Sequence, residues 1–415
     1  MDVTPLRIAV AALLRIGEPG DGLLKALVDA AGPVTAVELI RAISSGAVAV
    51  DEVVGRLSAE LGDITGQGRL PEALARWAVR AADADGEHDL EGMARLGGRL
   101  VIPTDDEWPT AIDELGPAAP LGLWVRGSAT LREALAQAVA VVGARAASGY
   151  GTKCASDLAW DLAADGYTVV SGGAFGIDAA AHRAALAREG TTVAFMAGGV
   201  DRFYPSANSD LFAQVLDHGL LVSETAPGMT PMRHRFLLRN RLIAASALAT
   251  VVVEAGWRSG ALNTARHALE LSRVVAAYPG SVYSASSAGT NRLIRLREAD
   301  LVTGAPDVLD LVRPEELPLG DLGGSAAGDS SRAGGGSGAG GRDDRVDDLG
   351  ERERICLNAL SATKALDVGT LAARAGLTVA DALSALALLE IEGLSERDGP
   401  GWKKLRRRRT STLEA

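Results

Sequence analysis

The sequence predicts an α/β fold: a parallel sheet wrapped by helices, preceded by a helical domain and followed by a small winged helix-turn-helix domain. Three observations carry this. Short β-rich apolar runs recur from Val139 onward, at "VAVVG", "YTVVSGG", "TTVAFMAGG", "GLLVSE", "ATVVVEAG" and "SRVVAAYPG". Stretches with helical spacing separate them, and continuous apolar strands alternating with helices mean a parallel sheet covered on both faces. Gly-rich segments follow the strands, and such sheets bind ligands at the carboxyl ends of their strands.

Taken in order, residues 1–95 read as short amphipathic helices broken at "GEPGDG", "AAGPV" and "GDITGQG", because Gly and Pro end helices. The opening "MDVTPLRIAVAALLRIGEPG" has an acid at position 2 and too short an apolar run for a secretory signal. A stretch rich in acids and tryptophan, "IPTDDEWPTAIDELGPAAPLGLWVRG", leads into the sheet domain, residues 96–313. Residues 314–350 are Gly/Ser/Asp-rich and nearly free of large apolar side chains. Such a segment cannot bury enough surface to offset its ordering entropy and is expected to be a disordered linker. Residues 351–405 give a helix, a turn at Gly376, and a second helix capped by Thr378 with Asp381 three residues on. "LSERDGPGWKKL" would form the wing, and residues 406–415 make a basic tail.

Composition narrows the function. The 415 residues are 47% hydrophobic and 23% charged, with aromatics at 4%, which fits two or three globular domains. Cys154 and Cys356 lie in different expected domains, against a disulfide framework or zinc site and in favour of a reducing compartment, the cytoplasm. No segment reaches the roughly 20 apolar residues of a bilayer span. The net charge of −11 argues at first against nucleic acid. Its distribution does not: residues 1–110 carry 10 Lys/Arg against 18 Asp/Glu, whereas residues 139–300 carry 15 against 13.

Three stretches could hold a polyanion. "VVGARAASGYG" places Gly143, Arg145 and Ser148 between a strand and a helix N-terminus, where backbone amides and a guanidinium favour phosphate. The alternative is a tight turn with a solvated arginine, and the loop alone does not separate the two. "SGGAFGIDAAAH" offers Gly172, Gly173 and Gly176 for close backbone approach. Its Asp178 and His182 form either an acid–base pair or, as we favour, a helix cap with a partner on the same face. "PMRHRFLLRNRLIAA" packs Arg233, His234, Arg235, Arg239 and Arg241 around Phe236, a mixture suited to a nucleic-acid backbone with a stacked base. Ser259, Gly260 and Thr264 after one strand, and Gly280, Thr290 and Asn291 after the next, complete a polar rim or merely cap helices. No His/Asp/Glu cluster has metal-ligand spacing. The expected recognition helix of the C-terminal domain holds Asp381, Glu390 and Glu392 and no basic residue, which favours protein contact or packing over duplex readout.

Together "VGARAASGYG", "SGGAFGIDAAAH", "GGVDRFYPSAN", "GLLVSE", "RFLLRNRLIAA", "VVEAGWRSGALNTARHALE" and "PGSVYSASSAGTNRLI" resemble the DprA (Smf) family of DNA-processing proteins over about residues 100–313. The resemblance implies an extended Rossmann-like domain between a helical (SAM-like) front and a winged-helix tail. It implies a homodimer that binds single-stranded DNA without catalysis or cofactor and loads RecA on incoming strands during natural transformation. The family's phosphate-binding arginine falls on Arg145, its glycine loop on Gly172, Gly173 and Gly176, and its Arg-Asn-Arg segment on Arg239, Asn240 and Arg241. Where members often place a lysine after Tyr-Pro, this chain has Ser206, so part of the usual electrostatic grip is either missing or replaced by Arg202. A nucleoside-monophosphate hydrolase is the alternative. It would need a P-G-G-x-G-T-x-x-E type of motif, which is missing, or Glu224 or Glu254 as substitutes. A winged-helix regulator is a third reading.

Overall fold

A computed structural model describes residues 3–61, 69–313, 351–361, 365–375, 377–391, 394–399 and 401–404. The expected linker 314–350, the turn residue Gly376, Glu392 and the basic tail lie outside these. The chain divides into two compact units, Met1–Leu319 and Gly320–Ala415.

In the first unit six helices come first: α1 (Pro5–Ile16), α2 (Gly22–Ala31), α3 (Pro33–Ser44), α4 (Val50–Leu61), α5 (Leu70–Ala81) and α6 (Gly86–Arg95). Their starts follow from local chemistry. Thr4 and Asp21 cap α1 and α2 through their side chains, and Pro opens α1, α3 and α5, where its missing N–H costs nothing.

Nine strands follow in one sheet: β1 (Gly98–Val101), β2 (Leu123–Arg126), β3 (Ala138–Val142), β4 (Thr168–Ser171), β5 (Thr192–Phe195), β6 (Leu220–Ser223), β7 (Ala249–Val252), β8 (Val274–Ala277) and β9 (Asp300–Leu301). Between and after them run α7 (Leu131–Ala136), α8 (Gly149–Ala164), α9 (Ile177–Ala187), α10 (Ser209–His218), α11 (Arg233–Ala245), α12 (Gly260–Glu270), α13 (Ala288–Leu296) and α14 (Ala305–Val312). The spatial order is β1-β2-β6-β5-β4-β3-β7-β8-β9.

All six apolar runs are strands, and β3 to β9 pair in parallel. The sheet is Rossmann-like. Two strands joined by antiparallel pairing extend the parallel sheet at one edge. The acid- and Trp-rich stretch contributes β2, which pairs antiparallel with both β1 and β6. These four residues lie between Gly122 and Gly127 in a stretch read for its acids and tryptophans, yet Leu123, Trp124 and Val125 are fully buried there.

Alternation along β3 divides the core. Ala138, Ala140 and Val142 face the α11–α12 side, and Val139 and Val141 face α8, α9 and α14. The helices α1 to α6 share a third cluster with Trp124, Ala194, Met196 and Leu221 of the sheet, so they form a layer over its β2–β6–β5 part. Among the described residues no helix is long and apolar enough to cross a membrane.

The second unit holds α15 (Glu351–Ala359), α16 (Val368–Ala375) and α17 (Val379–Ile391), then the antiparallel hairpin β10 (Ser395–Asp398) and β11 (Gly401–Lys404). Thr378 caps α17 and bonds Asp381, as its sequence predicts. Cys356, Leu371, Leu386, Leu389 and Trp402 build its core. Both cysteines are free.

Candidate nucleic-acid interface

The chain builds β3, β4, β5 and β6 outward on one side of β3, then returns to lay β7, β8 and β9 on the other. Beyond the carboxyl ends of β3 and β7 the connections part in opposite directions and leave a crevice. A cleft of about 450 Å³ opens there. Its walls are Gly143, Ala144 and Arg145 after β3, Ala174 and Asp178 after β4, one face of α11, and Gly256, Arg258, Ser259 and Gly260 after β7.

Helix geometry decides which arginines reach it. In α11, Phe236, Asn240 and Ile243 follow the i, i+4, i+7 rule and face the cleft, with Leu237 and Arg239 flanking them. Arg239 and Arg241 stand about 200° apart around the helix axis, so they leave on opposite sides.

Arg239 is buried. Its Nη1 donates to the carbonyl of Gly172 at 2.8 Å and to that of Phe195, so it pins the glycine loop to the end of β5. Its Nε has no hydrogen-bond partner among the described residues. Burial pushes its pKa down to about 10, against the pull of Asp178, and it stays cationic at neutral pH. A Cβ at Gly172 would meet the Arg239 guanidinium carbon at 2.5 Å, so a side chain there would have to displace that arginine. Gly176 carries φ +76° and lies against the carbonyls of Ala144 and Arg145, with no room for a side chain. Packing of the two loops thus accounts for Gly176, and the Arg239 guanidinium for the small residue at 172.

Arg241 is corrected. Expected at the phosphate surface, it is buried instead, with Nη2 on Glu224 at 2.7 Å and Nε on the carbonyl of Ala118 at 2.9 Å. Arg235 likewise pairs with Glu18 at 3.0 Å. Arg235 thus ties α11 to the helical front, and Arg241 ties it to the end of β6 and the segment before β2.

The remaining residues divide in the same way. Arg145 is exposed, its guanidinium 5.0 Å from the centre of the Phe236 ring. Phe236 in turn meets Tyr204 at 5.8 Å. Ser259 caps α12 on the cleft wall, and the Asn240 side-chain amide donates to the carbonyl of Gly260 at 3.2 Å. Ser148 lies outside the lining: it caps α8 and gives its N–H and O–H to Glu254 at 2.9 and 2.7 Å. Gly173 accepts from Asn208. Arg202 is exposed beside Asp201, on a separate pocket with Tyr204. Arg233 is exposed at the start of α11, and Ser206 is exposed in a short turn. Thr290 and Asn291 are hooks, bonding Ser287 and both backbone groups of Gly280.

Asp178 and His182 do not pair, so neither sequence reading of them holds. The Asp178 carboxylate accepts loop amides from Gly172 and Ala174 at 3.2 and 3.4 Å, and burial raises its pKa despite Arg239. His182 is fully buried, with Nδ1 on Thr192 Oγ1 at 2.7 Å, and burial pushes its pKa down to about 3.

Sequence reasoning missed Arg258, exposed on the cleft wall. A signal was there. Adjacent strands β3 and β7 both run into Gly-x-Arg, "GAR" at 143–145 and "GWR" at 256–258, ahead of a Ser-capped helix. The cleft therefore presents two exposed guanidiniums, a buried third, an aromatic ring and a helix N-terminus, with Asp178 the carboxylate in its lining. That set accepts a phosphate beside a flat ring.

Residues 99–313 match the family described as DNA recombination-mediator protein A. A Mycobacterium tuberculosis (strain H37Rv) protein named as a DNA processing protein DprA is 45% identical across 97% of this chain and 96% of its own length. The DNA processing protein DprA of Streptococcus pneumoniae is 40% identical over 49% of this chain and 71% of that protein. The X-ray structure of DNA processing protein A from the same organism superposes with a TM-score of 0.59 at 30% identity, covering 76% of this chain and 100% of that one.

Proposed function

The chain belongs to the DNA recombination-mediator protein A family, with a role in DNA processing and recombination, and from that premise we propose that it binds single-stranded DNA in the switch-point cleft. One observation carries the reading. Two exposed arginines on adjacent strand ends, Arg145 and Arg258, line one cleft with Phe236, over whose ring Arg145 sits, which suits a flexible strand whose bases are unstacked and free to meet a ring. Gly143, Gly172, Gly173 and Gly176 let the loops approach each other and the strand closely, and Ser259 and Asn240 supply polar wall. Arg202 and Arg233 add positive charge at the margins.

The protein holds the strand without turning it over. Acids at the strand ends are already engaged: Glu224 by Arg241, Glu254 by Ser148 and Ser286, and Asp178 by loop amides. This disfavours the nucleotide-hydrolase alternative, whose catalytic carboxylate must be free to meet substrate. We extend the proposal to a cytoplasmic homodimer that protects incoming strands and hands them to RecA during transformation, in keeping with the family's description as a recombination mediator. Gel-shift titrations of length-matched single and double strands across salt test the core claim. Preferential single-strand binding is expected, and equal affinity for both refutes it. Capture of RecA by the protein–DNA complex, and not by DNA alone, tests the handover.

A further inference from the structure

The exposed aromatic side chains among the described residues are Tyr150, Trp160, Phe175, Tyr204, Trp257 and Tyr283. Trp160 lies on α8 with Arg188 over its ring. Of the other five, Tyr204, Phe175, Trp257 and Tyr283 occupy loops that follow parallel strands, and Tyr150 stands in the first turn of α8 with its hydroxyl donating to the carbonyl of Pro279 at 2.6 Å. Read in sheet order they are Tyr204 after β5, Phe175 after β4, Tyr150 after β3, Trp257 after β7 and Tyr283 after β8. Neighbouring strands lie about 4.8 Å apart, so five of them spread this row across roughly 20 Å of one edge. Isolated exposed apolar residues are ordinary. A chain with 4% aromatics that sets one ring at each of five adjacent strand ends is a different case.

The far end of the row owes nothing to packing. Trp257 is 64% exposed and Tyr283 97%. Their loops are nonetheless fixed and adjacent. The N–H of Gly289 donates to the carbonyl of Ala255 at 2.7 Å, Ser286 Oγ donates to Glu254 at 2.7 Å, and Asn291 clasps Gly280. Residues 255–260, "AGWRSG", and 279–289, "PGSVYSASSAG", contain one arginine and no carboxylate, in a chain of net charge −11. Rigid, neutral-to-basic loops bearing bare rings are what bases of a polyanion require.

We infer that Trp257 and Tyr283 form a second stacking platform, on which bases of a single strand leaving the cleft past Arg258 are held. This rests on the cleft reading above, and it sets how long a strand the protein grips. A strand of about 4 nucleotides fills the cleft alone, whereas about 15 reach the platform.

The test uses the full chain and oligo-dT of those two lengths. The Trp257→Ala/Tyr283→Ala double variant, altered only at solvent-facing rings, should bind the long oligonucleotide about 10-fold or more weakly than wild type, by the usual scale of base–aromatic stacking. The short one should bind unchanged, and the salt slope should stay the same because no phosphate contact is lost. Tryptophan emission should be quenched by the long strand in wild type, and that component should vanish in Trp257→Phe while affinity is kept. Wild-type affinity of the double variant for the long strand overturns the platform and leaves the cleft standing. Failure of the wild-type protein to bind the short strand overturns the cleft, and the platform with it.

Discussion

Replacing Arg145 separates a phosphate contact from a structural one. Its side chain is solvent-exposed, and its close neighbour is the face of Phe236, 5.0 Å from guanidinium to ring centre. An exposed cation–π contact contributes about 0.5–1 kcal/mol, so Arg145→Ala should lower unfolding stability by no more than that. A hydrogen bond to a charged group contributes about 1.5–3 kcal/mol. Single-strand affinity should therefore fall about 10- to 100-fold, each 1.4 kcal/mol being tenfold. Removing one neutralised phosphate should also flatten the log–log salt dependence by roughly 0.7. Arg145→Lys retains the charge and loses the two-pronged donor, so its slope should match wild type while affinity falls part of the way. Fluorescence anisotropy with a labelled oligonucleotide at four or more salt concentrations reads both quantities. A folded Arg145→Ala protein with unchanged affinity and slope would show that the strand does not pass this loop.

Other expectations follow from the same geometry. Arg241→Met should destabilise the fold by about 3–5 kcal/mol, because it strands buried Glu224. DNA affinity per folded molecule should not change, and a specific binding defect in chemical-denaturation-matched samples would restore Arg241 to the interface. Gly176→Ala should cost about 1–3 kcal/mol or more, since it forces a side chain onto φ +76° against the Ala144 carbonyl; thermal unfolding checks this. His182 is held neutral, with a folded pKa of about 3 against an ordinary 6.5. The unfolded chain takes up a proton as pH falls through 6.5 while the folded one does not, so this group's stabilisation is full above that value and is lost toward pH 3. Between pH 7.5 and 5 the loss should be about 2 kcal/mol. His182→Asn, less stable overall, should lack that component in urea titrations, and an unchanged slope would contradict the assignment. Truncation after residue 313 should leave single-strand affinity within about tenfold of the full chain, and a greater loss would place part of the site in the C-terminal unit.

The sheet was legible because burial on both faces demands uninterrupted apolar runs, and each of the six became a strand. The edge was not. β1 opens on Gly98 and Arg99, β2 lies in a stretch read for its acids and tryptophans, and β9 is two residues, so none stood out as an apolar run between helices. The cleft was half legible. Glycines after strands marked its loops, and the mark at Gly143 led to Arg145, while the same mark at Gly256 went unread. The arginines of α11 show a physical limit. A run of basic residues reports charge, whereas their direction depends on rotation about the helix and on which layer covers each face. Arg239 and Arg241 look equivalent in "RNR", yet 200° of rotation sends one beneath the cleft and the other into an ion pair beneath the front helices. Asp178 and His182, one turn apart, were read as partners for the converse reason. Tertiary neighbours outbid a local one: loop amides took the carboxylate, and Thr192 took the imidazole.

The fastening of α11 bears on how this chain can be recombined with its relatives. Glu18 receives Arg235, and the N–H of Gly20 donates to Glu224 at 3.1 Å, next to the Arg241 contact. The donors and acceptors of this joint come from both sides of residue 95. A chimera that transplants the first 95 residues from another protein must also import a carboxylate at position 18 and a matching turn at 19–21. Without them, the buried Arg235 and Glu224 side chains would each lose a partner. The helical front thus behaves as one half of a lock, inherited together with α11 and not exchangeable as a cassette.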